Sequence, residues 1–187
     1  MKLAQSQLSD LITQFAERYV AQCIAQTGKL PIVEHDPDWP SPCEQVQADE
    51  QPMHWQPKPI EDDVDFSALE NAIEITLHND IKTYFSTIYS NNLPAISEHG
   101  NLELLFAWNY ADFERLQENI IGHILMKRRL KQKMSVFFAV TDEDDLIISL
   151  DNETGSIGVE RIGCEAHQVI ATSMAEFITL LTPVTPS

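Results

Sequence analysis

The sequence predicts an α+β fold: a single compact domain, residues 1–187, with a mostly antiparallel sheet packed against several helices. Three observations carry that expectation. Apolar residues recur at helical spacing in three separate stretches, from Leu8 to Tyr19, from Leu69 to Leu77 and from Phe113 to Ile124. They alternate with polar residues in Leu102, Leu104, Phe106 and Trp108, and again in Val136, Phe138 and Val140, which is the period of half-buried strands. The strands follow one another across short turns rather than alternating regularly with helices, so a parallel sheet is disfavoured. With 187 residues and 43% hydrophobic content, the chain is long enough for one good core.

In order, Leu8, Leu11, Ile12, Phe15 and Tyr19 form the stripe of a first helix that Cys23 extends and Gly28 ends. From Lys29 to Pro42 four prolines remove backbone donors and favour an extended loop, with Trp39 as an anchor and Ile32 and Val33 reaching the core. Glu44 to Gln47 and Met53 to Gln56 are candidate short strands, the second at a sheet edge because Pro52, Pro57 and Pro59 flank or follow it. Ser67 and Glu70 have the spacing of a capping box, and Leu69, Ile73 and Leu77 continue as a helix. The apolar face resumes in Ile81, Tyr84, Phe85 and Ile88, so the helix either runs on or bends near His78, Asn79 and Asp80. The strand ending at Trp108 feeds a long helix from Asn109 to Lys133, with Asn109 as its cap, Asp112 and Glu114 in the first turn and Lys127, Arg128 and Arg129 near the end. Phe113, Leu116, Ile120 and Ile124 form its core stripe, widened by Ile121 and Leu125. Val136 to Val140, Leu146 to Leu150 and Ile157 to Ile162 read as an antiparallel meander. A second capping box, Ser173 to Glu176, opens a last helix that Pro183 stops.

The net charge of −17 argues against nucleic acid and against direct adhesion to anionic lipid, and favours a positively charged partner. No apolar run is long enough to span a bilayer, and the residues after Met1-Lys2-Leu3 are too polar for a signal peptide, so the cytosol is the expected compartment. Cys23, Cys43 and Cys164 are widely spaced and read as reduced structural thiols. The six histidines show no metal-binding spacing, and His123 at the edge of the long helix's stripe reads as a structural residue. Gly155 to Gly158 lacks the spacing of a nucleophile elbow, and Asp142 to Asp145 lacks that of a calcium loop. No cofactor, metal or catalysis is expected.

Gln117 to Lys131, QENIIGHILMKRRLK, resembles the most recognisable block of the Syd family of SecY-interacting bacterial proteins. Pro40 to Cys43 (PSPC), Trp55 to Pro59 (WQPKP) and Ser173 to Phe177 are similar to that family in type and order. The resemblance implies a SUKH-like α+β domain, related to a superfamily of small binding and immunity proteins. It also implies a non-catalytic protein that binds the cytosolic loops of SecY on the cytoplasmic side of the inner membrane and monitors or disengages improperly assembled SecY complexes. Those loops are basic, as the positive-inside rule predicts.

The acid distribution fits such a partner. From Glu34 to Asp80 thirteen acidic residues face a single basic one, Lys58, while five of the twelve basic residues crowd into Lys127 to Lys133. Glu61, Asp62 and Asp63 precede the Ser67 helix, which then carries Glu70 and Glu74, and Glu114 and Glu118 form a like-charged pair one turn apart. Glu61, Asp62, Asp63, Glu70 and Glu74 are therefore the first candidates for gripping SecY, with Asp112 and Glu118 second, provided the two helices are neighbours. The basic tail has three candidate roles: complementing the helix dipole, a minor lipid contact beside SecY, or a salt-bridged wall of the acidic site. The alternatives are an immunity-like module that neutralises a basic toxin, and a metal-dependent hydrolase built on converging carboxylates.

Overall fold

Hydrophobic alternation in the second half of the chain builds a seven-stranded antiparallel sheet, seen in a computed structural model that describes residues 2–45 and 52–185. Its strands are β5 (Leu93–Ser97), β6 (Gly100–Leu104), β7 (Ser135–Thr141), β8 (Leu146–Asp151), β9 (Ile157–Arg161), β10 (Ala166–Ala171) and β11 (Thr182–Pro183). They lie in the order β10-β9-β8-β7-β6-β5-β11. Two small two-stranded sheets, β1 (Ile32–Val33) with β2 (Met53–His54) and β3 (Lys58–Pro59) with β4 (Ile88–Tyr89), sit outside it. The meander from β7 to β9 has the expected antiparallel pairing. Helices α1 (Lys2–Thr27), α3 (Asn79–Thr87) and α5 (Met174–Leu180) pack together over the main core. There the Phe138 ring meets Tyr84 of α3 at 5.4 Å and Phe177 of α5 at 5.6 Å, both edge-on. This is an α+β domain, as the sequence predicts.

The first helix follows its stripe, with Leu8, Ile12, Phe15, Tyr19 and Cys23 buried and Gly28 beyond its end at φ +73°. The segment from Ser67 to Thr87 bends: α2 (Ser67–Ile73) stops where Glu74 turns to φ +54°, and α3 restarts at Asn79 with His78 Nδ1 accepting Asp80 N. The break is held from two sides. Glu70 accepts Leu77 N and Lys82 Nζ, while Asn152 accepts His78 N and donates to Thr76 O. Gly155, at φ +75°, makes room for this clasp, since a Cβ there would lie 2.7 Å from the His78 ring.

Several expectations need correction. Ile32 is 57% exposed and Leu125 47% exposed; only Val33 of the first pair packs on the core, and Leu125 lies beyond the buried stripe of its helix. Ser67 does not cap α2: Asp65 Oδ1 accepts both its N–H and its hydroxyl, leaving Glu70 free for the bend. In the second box Ser173 does accept Glu176 N, but the Glu176 carboxylate reaches back to Thr172 rather than to Ser173. β2 pairs with β1, and Glu44 meets Trp55 in an isolated bridge; Val46 and Gln47 lie outside the described residues. Cys23 and Cys43 are buried, but Cys164 is exposed.

Candidate functional site

The long helix α4 (Tyr110–Arg129) begins as its sequence dictates, with Asn109 Oδ1 accepting Asp112 N at 2.8 Å. The PSPC segment secures that start: Asn109 Nδ2 donates to Pro40 O, and Ser41 Oγ donates to the Trp108 carbonyl. Trp55 of the WQPKP segment is buried beneath, stacked on Tyr19 and edge-on to Trp108 at 5.8 Å. Trp39 anchors the proline-rich loop by lying against the Arg115 guanidinium, 5.2 Å from its ring centre. Two of the segments that resemble the Syd family, PSPC and WQPKP, therefore meet at the start of α4, while Ser173–Phe177 packs on the sheet through Phe177 and Phe138.

The acidic segment before α2 is fastened to the same helix. Phe66 meets Phe113 edge-on at 5.4 Å, Gln117 Nε2 donates to Asp65 O at 3.3 Å, and Arg128 donates to the Ile73 carbonyl at the far end of α2. So α2 and α4 are neighbours. Gln117 and Arg128 mark the side of α4 that faces α2. At about 100° per residue, Glu114 and Glu118 follow on the adjoining solvent face, and both are exposed.

The seven candidate acids divide. The side chains of Glu61, Asp63, Glu74 and Glu118 are exposed and make no hydrogen bond among the described residues. Asp62 is also exposed but accepts the Tyr89 hydroxyl at 2.6 Å; burial and this acid together push that phenol well above its ordinary value. Glu70 turns away from α4 to brace the bend and lines an open groove between α1 and α3. Asp112 lies about 140° round α4 from Gln117, where it accepts Trp108 N and pairs with Arg115 at 2.6 Å. Asp65 joins the exposed run, its carboxyl held below the usual range by its bonds to Ser67.

The basic tail is not one surface. Lys127 is 1% exposed and pairs at 2.9 Å with Glu160 of β9, itself fully buried, so it is removed from any lipid contact. Glu160 also accepts the hydroxyls of Ser135 and Ser149, and His123 Nε2 lies 3.5 Å away. Burial, with Lys127 adding to it and Glu160 opposing it, pushes the His123 imidazole below its ordinary value. His123 thus has the structural setting its position suggests. The Lys127–Glu160 pair was not foreseen. Its signal was a charged residue, Glu160, inside the strand-like run IGVERI, beside a strand that carries Ser149 two residues from its register partner Ile147. Arg128 caps the end of α2, which leaves Arg129, Lys131 and Lys133 exposed. Among the described residues no group of three or more His, Cys, Asp or Glu is arranged to hold a metal. No described helix is long and apolar enough to cross a membrane.

The seven-stranded antiparallel sheet with its packed helices makes this an α+β domain, and the matching family's description gives it the SUKH-like label. A family described as Syd protein (SUKH-2) matches residues 9–183, and the chain belongs to the Syd family. A Protein Syd of Colwellia psychrerythraea is 50% identical over 184 residues, covering 94% of this chain and 92% of that protein. Proteins of the same name from Alteromonas mediterranea and Pseudoalteromonas atlantica are 41% and 38% identical, over 95% and 96% of this chain and 97% and 98% of theirs. Membership supports a SecY-interacting protein in general terms.

Proposed function

We propose that this protein docks on the cytoplasmic side of the inner membrane by gripping basic cytosolic loops of SecY with the acidic surface of α2, its preceding segment and the adjoining face of α4. Bound there, it monitors or disengages improperly assembled SecY complexes without catalysis. The observation that supports this most is the fastening of the Glu61 to Asp65 segment against α4 through Phe66 and Gln117. Acids on a fastened backbone cost little loop ordering on meeting a cationic loop, and their field steers it in. Glu61, Asp63, Glu74 and Glu118 make the direct contacts, with Glu114 beside them. Asp62, Glu70 and Asp112 hold internal hydrogen bonds and add to the field. Arg129, Lys131 and Lys133 are the part of the basic tail available for a minor lipid contact. Co-sedimentation with vesicles containing SecY, against vesicles without it, tests the reading. Binding that requires SecY and falls steeply between low and physiological salt is expected, whereas equal binding to both vesicles contradicts it.

A further inference from the structure

Behind the buried Lys127–Glu160 pair lies a cavity of about 150 Å³ between the end of α4, strands β7 to β9 and the start of β10. Its floor is polar and fixed. Ser149 and Ser135 are 1% and 6% exposed, and both donate their hydroxyl hydrogens to Glu160. Each hydroxyl has one hydrogen, so what these two oxygens present to the cavity is lone pairs. Lys127 is neutralised by Glu160 and commits a second N–H to the Cys164 carbonyl at 2.8 Å. Asp151 and Glu165 line the wall, each using one carboxylate oxygen locally, on the amides of residues 153 and 154 and on Lys133 N respectively. The opposing charge is the ammonium of Lys133, an exposed residue that also lines the cavity.

We propose that this cavity binds a guanidinium or primary ammonium group. A ligand there meets two hydroxyl oxygens and the one uncommitted N–H of Lys127 on the floor, and two carboxylates against Lys133 on the wall, so acceptors outnumber donors and the lining favours a group that donates hydrogen bonds and carries positive charge. About 150 Å³ accommodates a molecule as large as benzene, and a guanidinium head is smaller. The group enters in charge-assisted bonds to Asp151 and Glu165 and donates to the Ser135 and Ser149 oxygens. The site does not depend on the acidic face of α2 and α4. A guanidinium is carried by an arginine side chain of a bound protein, and a free small molecule such as agmatine carries a guanidinium at one end and a primary ammonium at the other.

The test is a titration of ¹⁵N-labelled protein with agmatine and, separately, with N-acetyl-arginine amide, at physiological salt. Saturable shifts centred on the amides of Ser135, Ser149 and Gly158, rather than on residues 61–65 and 114–118, are expected. Glu165→Lys, a change at an exposed position, should weaken binding about tenfold or more, the effect of losing one charge-assisted bond, while Lys133→Met should tighten it. Saturation by both ligands with similar affinity assigns the site to a partner's arginine, and saturation by agmatine alone assigns it to a free amine; either outcome supports the proposal. The absence of saturable shifts at these strands, or shifts unchanged by Glu165→Lys, overturns it.

Discussion

At the scale of single residues, burial separates structural charge from functional charge. Lys127 and Glu160 lie at 1% side-chain exposure, where an isolated ion is costly, and each is tolerable only because the other is present. Lys127→Met should therefore cost about 3–5 kcal/mol, and adding Glu160→Gln should recover much of that loss; urea denaturation of the single and double variants checks both. His123 contributes a pH dependence of definite sign. Its imidazole sits below the ordinary value of about 6.5 in the folded protein, so the unfolded chain binds more protons below that pH. Its contribution to stability is complete above about pH 6.5 and declines as the pH falls toward the folded value. Melting temperatures between pH 5 and 8 should fall less on acidification for His123→Gln than for the wild-type chain. None of this coupling was legible from helix periodicity, which places Lys127 in a basic tail and is silent about a strand folded over it.

At the scale of elements, most of the fold was legible and the misses have physical causes. The stripes of α1 and α4 follow from side-chain period, the cap at Asn109 from residue type, and the meander from β7 to β9 from apolar runs separated by turn residues. β10 was missed because it is an edge strand whose first four residues are all exposed, so no alternation marks it. The α2–α3 bend is not decided by sequence spacing because it is set by tertiary partners, Lys82 and Asn152. Glu70 illustrates the difference. It reads as an exposed helix acid or a box residue, yet it stitches the break by accepting Leu77 N and Lys82 Nζ. Glu70→Ala should cost about 1–2 kcal/mol because an amide donor loses its partner, measured as a shift in the denaturation midpoint at unchanged m-value. For that reason Glu70 is a poor site for testing partner binding by charge reversal.

At the scale of the whole molecule, the net charge of −17 gives the chain a long-range field, but a field alone does not define a surface. Fastening does. Phe66 on Phe113, Gln117 on Asp65 and Arg128 on Ile73 bring an acidic segment, a short helix and one face of α4 together. The sequence makes adjacency of the two helices a condition; α2 and α4 are neighbours, with Glu118 one residue from Gln117 and Asp112 paired with Arg115 farther round the helix. The central claim is that these exposed acids bind SecY. Its most direct test is the affinity of the quadruple variant Glu61→Lys, Asp63→Lys, Glu74→Lys and Glu118→Lys for vesicles containing SecY, once circular dichroism and a wild-type melting temperature establish that it is folded. These four side chains make no hydrogen bond among the described residues, so the fold should survive. The account predicts that binding falls by about a hundredfold or more at low salt; a folded quadruple variant that binds as tightly as the wild-type chain would contradict it.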